Sequence, residues 1–199
     1  MKTPQALEAV IDALKKLPGV GPKAAQRMAF HLMQHEKDAA HDIAEALINA
    51  LSHVGHCERC NNFSEQKVCN LCQSTNRDDS VMCVVEMPSD VQSIEQTQSF
   101  RGRYFVLLGR LSPLDGVGPK EIGLDRLISR VSDGVVKEVI VATNFTNEGE
   151  ATAHYISEKL VPLDLTVTRL SRGVPAGGEI EYVDIGTLAQ SIIERKSAD

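Results

Sequence analysis

Over residues 1–56 the apolar positions recur at helical spacing. Leu7, Val10, Ile11 and Leu14 form an i, i+3, i+4, i+7 stripe. Ala25, Met28, Ala29 and Leu32 form a second, and Ile43, Leu47, Ala50, Leu51 and Val54 a third, so this region is expected to be all-helical. Residues 57–80 break the rhythm: they are polar, cysteine-rich and too poor in apolar side chains for a core of their own. From Val81 short apolar runs at 81–85, 104–108, 138–142 and 165–170 alternate with helix-like segments near 89–97, 120–132 and 148–160. Such alternation predicts βαβ units and a mainly parallel sheet. The tail carries R-G-V-P-A-G-G, then E-I-E-Y-V and a short helical pattern through Leu188, Ile192 and Ile193.

The expected fold is therefore multidomain, α plus α/β. Its parts are a helical region (1–56), a small four-cysteine module (57–80), a mainly parallel sheet with flanking helices (81–171) and a C-terminal segment (172–199). That last segment is too small to fold alone and is expected to pack on the sheet or on a neighbouring subunit.

Composition adds a compartment. Of the 199 residues 42% are hydrophobic, enough for a core. The opening M-K-T-P-Q-A-L-E-A-V is amphipathic rather than signal-like, and no window approaches the roughly 18 apolar residues of a membrane span. The sequence predicts a soluble, cytoplasmic protein, in which cysteines are ligands or core residues rather than disulfides. The net charge of −6 argues against a general affinity for polyanions, but between Ala13 and His35 there is no Asp or Glu while Lys15, Lys16, Lys23 and Arg27 occur. One basic window in an acidic chain points to a local binding face.

That window contains L-P-G-V-G-P-K-A-A-Q-R, from Leu17 to Arg27, between two helical stripes. Pro18 is expected to stop the first helix, Gly19 and Gly21 to supply positive φ in a tight turn, and Pro22 to open the second helix. Backbone amides at that helix start, flanked by Lys23 and Arg27, would bind a phosphate without reading a base. The pattern is a helix-hairpin-helix DNA-backbone module; its bland alternative is a plain turn with solvated lysines. GVGPK recurs at Gly116–Lys120 after a strand and a loop, where it reads as a glycine turn before a helix.

Cys57, Cys60, Cys69 and Cys72 give C-x2-C-x8-C-x2-C. Each pair turns two sulfurs toward one ion, and four thiolates close a tetrahedral shell, so the expected ligand is one structural Zn2+. Cys83 lies inside an apolar strand and reads as core. Glu86 ends the first strand of the α/β region, and Glu148 and Glu150 follow the third, so the three carboxylates are expected to meet at one sheet edge.

The helical hairpin, the four-cysteine module, the strand-end Glu86 followed by E-G-E at 148–150, and the tail S-R-G-V-P-A-G-G-E-I-E-Y-V, in this order, resemble the RecR family of bacterial recombination mediators. The α/β region resembles the Toprim domain, shared with topoisomerases, primases and some nucleases. Catalytic Toprim domains resemble D-x-D-x-E-G-E and bind divalent metal through the strand-end glutamate and those aspartates. Here Asn144 and Thr146 stand in their places, leaving few of the hard anionic oxygens Mg2+ requires. The resemblance implies a non-enzymatic, homo-oligomeric (dimer or tetrameric ring) DNA clamp that acts with RecO and RecF to promote RecA loading. Gly19, Gly21, Lys23 and Arg27 would touch DNA, and Glu86, Glu148 and Glu150 would form the partner face. The alternative is a metal-dependent Toprim-type nuclease or strand-passage enzyme.

Overall fold

The computed structural model describes residues 3–171, 173–175, 177 and 179–194. The R-G-V-P-A-G-G loop lies partly outside the described residues, at Arg172, Ala176 and Gly178. The chain divides into two compact units, Met1–Gly55 and His56–Asp199.

The first unit is α1 (Gln5–Leu14), α2 (Pro22–Gln34) and α3 (Lys37–His53), with α1 and α3 both packed on α2. Among its described residues only Ala25 and Ala29 are fully buried. Being small and one turn apart, they let neighbouring helices approach. The third stripe is formed as expected, yet Ile43, Leu47 and Leu51 are 51%, 60% and 86% exposed: none of the unit's described residues covers it. Helix α1 ends at Leu14, ahead of Pro18. The amides of Lys16 and Leu17 reach back to the carbonyls of Ala13 and Leu14 in a tightened last turn, because a proline disfavours helical geometry in the residue before it.

At the boundary, starting on the last residue of the first unit, comes a two-stranded ribbon, β1 (Gly55–His56) and β2 (Phe63–Ser64), followed by a single turn, α4 (Asn70–Gln73). The main sheet has strand order β4-β3-β5-β6, all parallel: β3 (Asp78–Val85), β4 (Gly102–Val106), β5 (Glu138–Ala142) and β6 (Thr166–Arg169). Helices α5 (Pro88–Gln96), α6 (Leu124–Val131) and α7 (Asn147–Leu160) connect them, and α8 (Ile185–Ile193) closes the chain.

Alternation along the strands sends Met82, Val84, Phe105, Leu107, Val139 and Val141 to one face. There they meet Leu124, Leu127 and Val131 of α6 and Ala153, Ile156 and Leu160 of α7. Cys83, Val85, Tyr104 and Val106 go to the other face with Val91 of α5. A parallel sheet buried on both sides needs such continuous apolar runs. Strand β3 begins at Asp78, inside the stretch assigned by sequence to the cysteine module. The helix expected from residue 120 begins only at Leu124: Pro119–Gly123 form turns, and Gly123, at φ 67°, holds the left-handed position before the helix. Among the described residues no helix is long and apolar enough to cross a membrane.

Candidate functional site

The four predicted ligand sulfurs converge. Cys57, Cys60, Cys69 and Cys72 lie with all Sγ atoms within 4.8 Å of one another, close to the ~3.8 Å edge of a tetrahedron with Zn–S bonds near 2.3 Å. Cys69 precedes α4, so that the first turn of that helix brings Cys72 round beside it. Burial alone would raise the Cys57 thiol. Hydrogen bonds from the amides of Cys69, Cys60 and Arg59 outweigh it and bring this thiol down to about 7. Burial pushes Cys69 up to about 11, and a hydrogen bond with Cys72 plus burial drive Cys60 higher still. Four thiols packed this closely resist ionising together, and a divalent cation removes that resistance. The set is closed, all sulfur and largely buried: a structural site for one zinc ion.

The module is wired to the sheet. Val106 lies on edge strand β4, and its amide donates to the Cys60 carbonyl (2.8 Å) while its carbonyl accepts from Asn61 Nδ2 (2.7 Å). Both backbone groups of an open sheet edge are thereby satisfied. Asn61 holds φ at 62° and is 5% exposed; its Oδ1 accepts from Arg126 of α6 at 2.5 Å. Arg103 of β4 reaches the Leu71 carbonyl (2.8 Å) and pairs with Asp79 (2.6 Å). Sequence reasoning named none of Asn61, Arg103 or Arg126. An asparagine directly after a C-x2-C pair, where a left-handed residue closes the turn, was the available signal for Asn61.

In the helical unit the turn geometry is half as expected. Gly19 has φ 78°, the left-handed value only glycine adopts freely. Gly21 does not: it precedes α2 at φ −80° with extended ψ, a conformation open to any residue, so positive φ is not its role. Pro22 takes the first helical position, and the first helical bond runs from the Ala25 amide to the Gly21 carbonyl (3.0 Å). The amides of Lys23 and Ala24 thus have no helical acceptor. Lys23 and Arg27 are exposed on α2, whereas Lys15 is tied to Asp12 at 2.7 Å, whose carboxylate raises the lysine's pKa.

At the sheet's carboxyl edge the three glutamates part company. Glu86 is 1% exposed, so it does not stand on the expected acidic face. Its Oε1 accepts from the Asn144 amide (2.9 Å) and its Oε2 from Asn144 Nδ2 (2.7 Å). Thr146 caps α7, its Oγ1 accepting from the Gly149 amide at 3.1 Å. The two residues standing where aspartates would hold metal are instead committed to hydrogen bonds, Asn144 to Glu86 and Thr146 to the start of α7. Glu150 pairs with Arg169 at 2.5 Å, and that guanidinium lies over the Phe145 ring at 5.2 Å. Glu148 is exposed in the first turn of α7. Arg169 was missed by sequence reading, although a lone basic residue ending the T-V-T-R strand marked it.

Four family descriptions tile the chain. The description of the RecR helix-hairpin-helix matches residues 7–51, and that of the RecR four-cysteine zinc finger domain residues 54–74. The Toprim domain matches residues 80–171 and the RecR C-terminal domain residues 173–196.

Proposed function

The chain belongs to the RecR family of DNA-repair and recombination mediators, and from that premise we propose a cytoplasmic adaptor that does no chemistry of its own. It grips the DNA backbone as an oligomeric clamp and works with RecO and RecF to promote RecA loading at single-stranded gaps. The observation that carries the non-enzymatic reading is at Glu86. Both oxygens of the carboxylate that a catalytic Toprim site would offer to a metal accept hydrogen bonds from Asn144. Strand passage through the strand tyrosine finds no support either. Tyr104 is 3% exposed, and burial together with its bond to Glu95 (2.6 Å) raises its phenol away from nucleophilic ionisation.

The uncovered stripe of α3 supports self-association, since monomers rarely leave large contiguous apolar surface in water. A second copy of the chain fits it best, giving the dimer or tetrameric ring of the clamp.

DNA contact is assigned to Gly19 and Gly21 in the turn and to Lys23 and Arg27 beside it. Lys23→Ala will weaken binding about equally for all sequences and reduce the salt slope by about one, as expected for one lost phosphate contact. Titrations at several salt concentrations measure both, and a sequence-selective loss, or none, counts against the assignment.

The partner face is assigned to Glu148 with Glu150, Glu86 acting from beneath by fixing Asn144. Reversing a rim charge slows association and speeds dissociation, so Glu148→Lys will weaken the RecO complex while zinc content and folding stay unchanged. Normal RecO binding would remove Glu148 from that face. Mg2+-dependent DNA cleavage abolished by Glu86→Gln would restore the enzyme reading.

A further inference from the structure

Beyond Lys23 and Arg27, the same face of α2 continues for two more turns. Lys23, Arg27, His31 and His35 follow one another at four-residue spacing, and Gln26, Phe30 and Gln34 form a parallel row. The two rows frame a shallow, open strip of surface along the helix, and every one of these side chains is exposed. From Lys23 to His35 the helix rises about 18 Å, the length of about five nucleotides stacked at ~3.4 Å. Phe30 is 40% exposed in the middle of this strip, and the His31 and His35 rings lie 5.5 Å apart.

Resting on the DNA contact proposed above, we propose that this strip is a base-stacking platform that selects single-stranded DNA over duplex. Lys23 and Arg27 would hold phosphates while Phe30, with the imidazoles of His31 and His35, takes the faces of unpaired bases. A row of cations beside flat rings is the arrangement single-strand binding uses, because every base has a π face and stacking needs no sequence. Duplex DNA keeps its bases stacked on one another and offers the strip only phosphates. A second copy of the chain suits this face poorly, since a twofold contact would lay one basic strip upon another. No acid falls between Ala13 and His35 to relieve that repulsion.

The test is fluorescence anisotropy with labelled oligothymidylate, with an abasic strand of equal length and charge, and with duplex. Wild-type protein will bind oligothymidylate about fivefold or more tighter than the abasic strand. Phe30→Leu will diminish that difference, the two imidazoles keeping the remainder, and leave abasic and duplex binding unchanged. The chain has no tryptophan, so Phe30→Trp supplies a single indole. It will keep the preference, and its emission will be quenched by oligothymidylate but not by the abasic strand. Equal wild-type affinity for the two single strands, or an undiminished preference in Phe30→Leu, overturns the proposal; so does an unquenched indole. Abasic binding that ignores Lys23→Ala instead sinks the phosphate contact, a separate failure.

Discussion

Cys57→Ser or Cys72→Ser will leave the protein without zinc and unfold more than the module that holds it. Zinc binding to such modules is worth about 10–16 kcal/mol. Here the buried interior of the module is the ligand set itself, Cys57, Cys60 and Cys72, with only Val68 and Cys69 packed against it. Nothing apolar remains to replace the metal. The damage then spreads along the hydrogen bonds between Cys60, Asn61 and Val106, opening the β4 edge of the sheet. An exposed edge beside a loosened core is an aggregation template. Elemental analysis will find the variants short of one zinc per chain, and thermal scans will show loss of the sheet's cooperative transition. Asn61→Ala leaves all four sulfurs in place and isolates the coupling. It removes the bonds to Val106 and Arg126 and puts alanine, which tolerates the left-handed region less well than asparagine, at φ 62°, costing about 2–4 kcal/mol with zinc retained. A soluble, fully folded, metal-free protein lacking all four cysteines would end this account.

The zinc ligands were legible in the sequence because the signal is local: four residues of one chemistry at spacings that close a loop. The sheet was legible for the same reason, since strands buried on both faces advertise themselves as apolar runs. Asn61 was not, because its meaning lies in Val106 and Arg126, far along the chain, and an asparagine in a polar loop suits solvent equally well. The stripe of α3 misled in the opposite direction. Helical periodicity reports that a face avoids water, not what covers it, and none of the described residues of its own unit covers Leu51. Glu86 shows a third limit. A carboxylate at a strand end reads as exposed, and only the fold reveals that Asn144 closes over it.

Gly149→Ala will destabilise the protein strongly, although α-helix propensity alone predicts the reverse. Gly149 lies within α7, where alanine is favoured over glycine by about 1 kcal/mol. An alanine β-carbon there would stand 2.0 Å from the Asn144 carbonyl oxygen and 2.9 Å from Glu86 Oε1. Carbon and oxygen settle no closer than about 3.3 Å, so the start of α7 must move by more than about 1 Å, against backbone rather than a yielding side chain. That shift breaks the bond from Thr143 Oγ1 to the Gly149 carbonyl (2.8 Å) and the Thr146 cap, and it disturbs both Asn144 bonds to buried Glu86. Overpacking and several lost buried hydrogen bonds together cost about 3 kcal/mol or more. For a chain of this size the unfolding midpoint falls by about 6–12 °C. The glycine of E-G-E is thus the residue that lets helix, loop and glutamate close upon one another. Chemical and thermal denaturation of the variant, with zinc content as the control, decides between clash and propensity. Stability equal to or above wild type would mean that the closed loop around Glu86 is not held by this contact.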